Sequence, residues 1–323
     1  MAQKNFVELT RTNDKMPLVG FGCWKVDQKD AEETIYNAIK VGYRLIDGAC
    51  DYGNEVEVGR GIRKAIADGI VKREEIFVTT KLWNTYHNKA NVRPAFDKQL
   101  ADLGLDYVDL YLIHFPIPLQ HVEHDVCYPP GWVHPTKTSG ILLEASPMQD
   151  CWREMEKIAE AGLARNIGIS NFNVQLILDL LTYAKIKPAV LQIELHPYLQ
   201  QKRLVEWVQS QGIAVTAYSS FGPASFAQLT DDGRNAKPLL DHEVIQAIAK
   251  KHDKTTAQVL LRWSVERNVA VIPKSMHVER MTTNRDLFSW SLGADDIKDI
   301  TALEMGLRFN NPDSYGMALP LFA

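Results

Sequence analysis

The chain has 323 residues, is 46% hydrophobic and 24% charged, and carries a net charge of −4. That is enough apolar material for a large core, in one big α/β domain or two ordinary ones, and the acidic balance argues against nucleic acid as the main partner. No apolar run approaches membrane-spanning length. The opening MAQKNFVELTRTND has no apolar core of the kind a secretory leader needs. The four cysteines (Cys23, Cys50, Cys127, Cys151) form neither a CxxC pair nor a metal-ligand spacing. They are expected to be free thiols in a reducing cytosol.

In chain order, Phe6–Leu9 and Pro17–Val19 flank a polar Arg11–Lys15 turn, which predicts a hairpin. Strand–helix alternation follows. Gly20–Gly22 precedes a helix over Lys29–Val41, and the apolar run Tyr43–Ile46 precedes one over Glu55–Ala67. Strand Ile76–Thr80 leads to helix Ala90–Leu103, and strand Tyr107–Ile113 to helix Gln149–Ala161. Ala164–Ile169 pairs with Val174–Ala184, and Ala189–Ile193 with Gln201–Gln211. Ile213–Ala217 is followed by Asp241–His252 and a further helix over Thr255–Arg267. Val269–Ile272 with Val278–Asn284 closes the series. Eight units of similar length without a composition break predict a single (β/α)8 TIM barrel over residues 1–323 rather than an open doubly wound sheet. A Rossmann fold would need GxGxxG after a strand, and Gly20-Phe21-Gly22 lacks the third glycine. Two segments exceed ordinary loop length: Phe115–Pro147, rich in proline and aromatics, and the tail from Gly306. In a barrel both could lie over the carboxyl ends of the strands.

Those carboxyl ends carry the chemistry. Three successive strands end in Asp47, Lys81 and His114, and Tyr52 lies in a glycine-bounded turn just beyond the first. Any one of these has an ordinary packing reading; their shared position favours a site. A tyrosine, with a pKa of ~10, is a feeble acid, and a lysine beside it is expected to lower that value by stabilising the phenolate. A buried carboxylate would keep such a lysine cationic. Asp47, Lys81 and Tyr52 thus form a coherent proton-donating relay, with His114 able to polarise a carbonyl oxygen. Protonating a carbonyl oxygen calls for hydride at its carbon, which only a nicotinamide or flavin supplies. Phosphate sites in barrels commonly follow strands seven and eight. Here those tips read Tyr218-Ser219-Ser220-Phe221-Gly222 and Pro273-Lys274-Ser275, followed by Arg280. Small hydroxyls and two cations near a helix N-terminus suit an anion. Ser170, Asn171 and Gln192 suit a carboxamide, and Tyr218 a stacked ring.

Several motifs together resemble the aldo-keto reductases over essentially the whole chain. They are Gly20-Phe21-Gly22, the Asp47-to-Tyr52 segment, Lys81-Leu82-Trp83-Asn84, Ile113-His114-Phe115-Pro116, Gly168-Ile169-Ser170-Asn171-Phe172 and Ile272-Pro273-Lys274-Ser275. Within that superfamily, Asp47–Glu55, Tyr218–Pro223 and Gly306–Asn310 are similar to fungal D-xylose (aldose) reductases. The resemblance implies Tyr52 as general acid, tuned by Lys81 and Asp47, with His114 orienting the carbonyl. It implies Ser170, Asn171 and Gln192 on the nicotinamide carboxamide, with Tyr218 on the ring. Ser219, Ser220, Phe221 and Gln228 fall to the cofactor as well. Lys274, Ser275 and Arg280 would hold the 2′-phosphate of NADPH, Met276 would stand beside them, and Asn284 would meet the adenine. Trp24, Asp51, His114, Phe115 and Asn310 would line the sugar pocket.

Three positions depart from the fungal pattern. Met276 stands where many relatives have asparagine, Gln228 where dual-cofactor members have glutamate, and Leu195 where a histidine is common. The first two bear on cofactor choice. The expectation is a cytoplasmic, NADPH-preferring reductase of D-xylose and related aldoses, weaker with NADH, and a monomer or homodimer. Alternatives are a reductase of L-arabinose, glyceraldehyde or other aldehydes, and a non-catalytic nucleotide-binding subunit, against which the intact tetrad argues.

Overall fold

The computed structural model describes residues 4–138 and 140–322. Eight strands form one sheet in chain order: β3 (Phe21–Gly22), β4 (Leu45–Asp47), β5 (Phe77–Leu82), β6 (Val108–Ile113), β7 (Ala164–Ser170), β8 (Val190–Glu194), β9 (Ala214–Tyr218) and β10 (Val269–Val271). Every neighbouring pair is parallel. A parallel bridge from Val19 to Val271, with Gly20 N–H donating to the Val271 carbonyl at 2.8 Å, joins the first strand to the last and closes the ring. The expected (β/α)8 barrel is therefore present. Closure is tight enough at Gly22 that a Cβ there would lie 2.6 Å from the Ile272 carbonyl oxygen.

Between the strands run α1 (Gln28–Val41), α2 (Glu55–Ala67), α3 (Lys89–Leu103), α4 (Met148–Glu160), α5 (Val174–Tyr183) and α6 (Lys202–Ser210). Beyond β9 come the short α7 (Asp231–Asn235), α8 (Glu243–His252) and α9 (Thr256–Glu266), and after β10 come α10 (Val278–Arg285) and α11 (Ala294–Thr301). Helix α1 buries a stripe at helical spacing, Ala31, Thr34, Ile35, Ala38 and Ile39, whereas α9 is buried all round from Gln258 to Val265. Gly42 ends α1 with φ 113°, turning its N–H back onto the Ala38 and Ile39 carbonyls. Helices α7 and α11 lie outside the sequence expectation. The first is one turn long, and the second is only eight residues, with Ala294, Ile297 and Ile300 as its apolar face.

The hairpin also forms, its second strand two residues earlier than expected: β1 (Phe6–Glu8) pairs antiparallel with β2 (Lys15–Pro17), Val7 opposite Met16. Leu18 and Val19 look like strand because they are apolar, but Val19 joins the barrel rather than the hairpin. Asp14 and Arg11 reach Arg165 near the start of β7, and Thr10 reaches Gly212 just before β9. The hairpin thus covers the amino-terminal mouth and leaves the carboxyl-terminal mouth to the long loops.

Candidate active site

At that open mouth, β4 ends in Asp47, β5 carries Lys81, and β6 hands the chain to His114. Lys81 lies within its strand, one residue short of the end, and its side chain is fully buried. A lysine ammonium offers three donors. Here it has three partners: Asp47 Oδ1 at 2.6 Å, the Gly48 carbonyl at 2.8 Å and the Tyr52 hydroxyl at 3.2 Å. Tyr52 closes a 3-10 turn over Cys50–Tyr52 that follows Gly48. Because the ammonium can only donate, it occupies an acceptor lone pair of the phenol and leaves the phenolic proton directed elsewhere. The other oxygen of Asp47 accepts from Gln192 Nε2 at 2.7 Å. His114 stacks on Phe115, stands edge-on to Trp83, and faces Tyr52 at 6.0 Å between ring centres. Its Nδ1 lies 3.1 Å from Asp51 Oδ1.

Burial, reinforced by the Asp47 and Asp51 charges, pushes the Tyr52 phenol well above its ordinary value. The sequence expectation of a lowered pKa is therefore not the condition of this site. Desolvation disfavours the phenolate more than one adjacent ammonium favours it. The consequence suits a donor: Tyr52 is fully protonated at neutral pH, and Lys81 is already placed against the anion that proton loss would create.

Behind this group lies a buried network absent from the sequence reading. Glu55 at the start of α2 accepts from Thr80 and Gln99, Gln99 also bonds the Lys81 carbonyl at 3.1 Å, and Tyr111 donates to Gln99 at 2.8 Å. Burial raises Glu55 from 4.5 to about 7, against the lowering effect of Thr80 and Gln99. The folded chain thus holds this proton more tightly than the unfolded chain, so its contribution to stability is present below about pH 4.5 and lost as pH rises through about 7. Between about pH 5 and pH 8 the loss should be on the order of 2–3 kcal/mol. Urea midpoints at the two pH values should show it in the wild-type chain and a flatter profile in Glu55→Gln. Equal slopes would remove Glu55 as the cause.

On the opposite side of the mouth, Ser170 Oγ donates to the Gln192 carbonyl at 2.9 Å, and Asn171 Nδ2 reaches the His114 carbonyl at 2.9 Å. Tyr218 donates to Asn171 Oδ1 at 2.6 Å and accepts from Asn310 Nδ2 at 2.9 Å. A single hydroxyl proton serves that chain, since Tyr218 donates once and accepts once. Asn310 comes from the carboxyl-terminal tail, more than ninety residues downstream of Tyr218.

A cavity of about 710 Å³ opens between these two sides of the mouth. Its lining includes Asp47, Asp51, Tyr52, His114, Asn171, Gln192, Tyr218 and Asn310, with Trp24, Phe115, Trp132 and Phe226 as an aromatic wall. Ser219, Ser220, Phe221, Gln228 and Lys274 line the other end. Ser220 Oγ is buried there without a hydrogen-bond partner among the described residues. Ser275, Met276, Arg280 and Asn284 lie beyond that lining, on the turn and first helical turns after β10: Ser275 and Asn284 buried, Met276 and Arg280 exposed. Leu195 is fully buried behind the tips of β8 and β9, its N–H on the Tyr218 carbonyl.

Sequence reasoning missed Lys25, Trp132 and Phe226 in the lining. Lys25 donates to the Ser225 carbonyl at 2.7 Å, bridging the loops after β3 and β9. Burial and the Lys274 charge push its pKa down, the mark of two cations crowded at one end of the cavity. Its position directly after Trp24, beyond a strand tip, was the available signal. Trp132 belongs to the long aromatic loop already singled out for its length.

The model of the Aldo/keto reductase family matches residues 18–305. The chain belongs to that family. As an aldo/keto reductase it is an oxidoreductase, and its curated relatives match nearly end to end. It is 59% identical to a 4-dihydromethyl-trisporate dehydrogenase of Mucor mucedo over 98% of this chain and 99% of that one. It is 54% identical to a probable NAD(P)H-dependent D-xylose reductase of Aspergillus terreus, over 95% of this chain and 96% of that one. It is 53% identical to an NAD(P)H-dependent D-xylose reductase of Aspergillus niger with the same coverage.

Proposed function

We propose that this aldo/keto reductase is an NADPH-preferring aldose reductase that converts D-xylose and related aldoses, in their acyclic aldehyde form, to alditols. The observation that carries the reading is the Asp47–Lys81–Tyr52 relay, whose phenolic proton is committed to no neighbour among the described residues and whose tyrosine lines the cavity. The identity of 53–54% to D-xylose reductases supports the substrate class.

The cavity suits a nicotinamide nucleotide. It has a polar tip region at Asn171 and Gln192, an aromatic face at Tyr218, the buried unpartnered Ser220 hydroxyl, and the paired cations Lys25 and Lys274. Bound there, the reduced cofactor supplies the hydride for the carbonyl carbon. Ser170, Asn171 and Gln192 would hold its carboxamide and Tyr218 its ring, with Ser219, Ser220, Phe221 and Gln228 along its length. Lys274, Ser275 and Arg280 would hold the 2′-phosphate and Asn284 the adenine.

The protein's own part is the proton. Tyr52 donates to the carbonyl oxygen, and Lys81 stabilises the phenolate left behind. Asp47 fixes Lys81 and Gln192 in one geometry. His114, held between Trp83 and Phe115, orients the carbonyl. Trp24 and Phe115 exclude water, and Asp51 and Asn310 read sugar hydroxyls.

If Asn310 reads a hydroxyl, Asn310→Ala should lower kcat/KM for xylose on the order of tenfold more than for butanal, which has no hydroxyl to lose. Equal losses on both would assign Asn310 to folding or the cofactor instead. The 59% identity to the Mucor mucedo enzyme favours a second reading, dehydrogenation of 4-dihydromethyl-trisporate, the activity in that relative's name. One panel separates the two readings: sugars and simple aldehydes with NADPH and NADH, and 4-dihydromethyl-trisporate with NADP⁺, each followed by nicotinamide absorbance. Xylose turnover far below that of the trisporate substrate would replace the first reading with the second.

A further inference from the structure

We propose that Glu194 is a positioning residue for substrate selection, its carboxylate fixing the carboxyl-terminal tail so that Asn310 stands at the cavity. Glu194 is the last residue of β8 and is fully buried. One carboxylate oxygen accepts from His196 Nε2 and from the Phe309 N–H, both at 2.8 Å. The other accepts from the Asn310 N–H at 2.9 Å, with the Arg308 guanidinium 3.9 Å away.

The tail between α11 and the turn at Pro312–Tyr315 has no regular secondary structure, so its N–H groups need partners from outside. A buried carboxylate needs donors for the same reason. Two successive amides and one acid satisfy each other, and this fixes the direction in which the next side chain points. Burial works against the charge, yet His196, Arg308 and the Phe309 amide together hold the Glu194 carboxyl below its usual value. Phe309 is wedged between His196, at 5.2 Å between ring centres, and Phe226, at 6.4 Å. The Asn310 amide then meets Tyr218, Tyr218 meets Asn171, and Asn171 meets the His114 carbonyl. One unbroken run of hydrogen bonds links the anchored tail to the residue that would orient the carbonyl.

The choice of sugar as probe rests on the aldose reading above, and the test separates the two. Glu194→Gln keeps the shape of the side chain and removes its charge. Hydrogen–deuterium exchange over residues 306–312 should quicken, while NADPH affinity, measured by fluorescence quenching, should hold. The KM for xylose should rise about tenfold, with a far smaller change in kcat, and the xylose-to-butanal ratio of kcat/KM should fall accordingly. Unchanged exchange in the tail would overturn the anchor. So would faster exchange with equal losses on xylose and butanal, since a merely structural role predicts no discrimination. A wild-type protein inactive on xylose would sink the aldose reading alone, leaving the exchange result to decide the anchor. Should Glu194→Gln fail to fold, Arg308→Gln withdraws only the outer charge and should shift exchange in the same direction by less. No shift there would also overturn the proposal.

Discussion

Replacing Tyr52 with phenylalanine is expected to cut aldehyde turnover ~10²–10⁴-fold, the usual worth of a general acid, while NADPH affinity stays near that of the wild-type protein. The asymmetry follows from the site. The hydroxyl is the only part of Tyr52 that Lys81 touches as a hydrogen-bond donor, and the ring's place beside His114 survives the change. Lys81 keeps Asp47 and the Gly48 carbonyl, so the ion pair beneath the cavity persists. The loss should therefore fall on kcat, as expected for an interaction made only in the transition state. Single-turnover kinetics and a fluorescence titration with NADPH measure the two halves. Retention of more than about a tenth of normal turnover would fall outside the general-acid range and would assign the proton to another group.

The second large effect concerns the cofactor. NADPH carries a dianionic 2′-phosphate where NADH has a hydroxyl, and Lys274 and Arg280 are the exposed cations on either side of Met276. Charge-assisted bonds to phosphate are among the stronger polar contacts. Acceptance of NADH calls for a carboxylate on the free ribose hydroxyls; at position 228 this protein offers an uncharged glutamine, exposed at the cavity rim. The wild-type protein should accordingly prefer NADPH clearly in kcat/KM. Arg280→Ala should lower NADPH efficiency on the order of tenfold, with little change for NADH. Because Arg280 is exposed, raising the salt concentration should shrink the difference. Comparable efficiency with both cofactors in the wild-type protein would show that Gln228 and Met276 do not set the choice.

The sequence by itself determined the barrel and the identity of its polar tips. Eight short apolar runs alternating with amphipathic helices admit few other closures, and an acid, a lysine and a histidine at three successive strand ends are visible without coordinates because strand direction fixes which end they share. Side-chain periodicity is local, and so it survives in the sequence. The tertiary structure decided what depends on distant segments meeting. Val19 left the hairpin for the barrel because ring closure needed a partner for Val271. The Tyr52 phenol moved up in pKa, not down, because the depth of burial is set by neighbours from several elements. Lys25 met Ser225 across two hundred residues, and Glu194 met Phe309 and Asn310 across more than a hundred. Nothing in the spacing of either pair announces the contact, because a loop's path is fixed by the partners it finds for its backbone N–H groups rather than by a repeating pattern of its own residues.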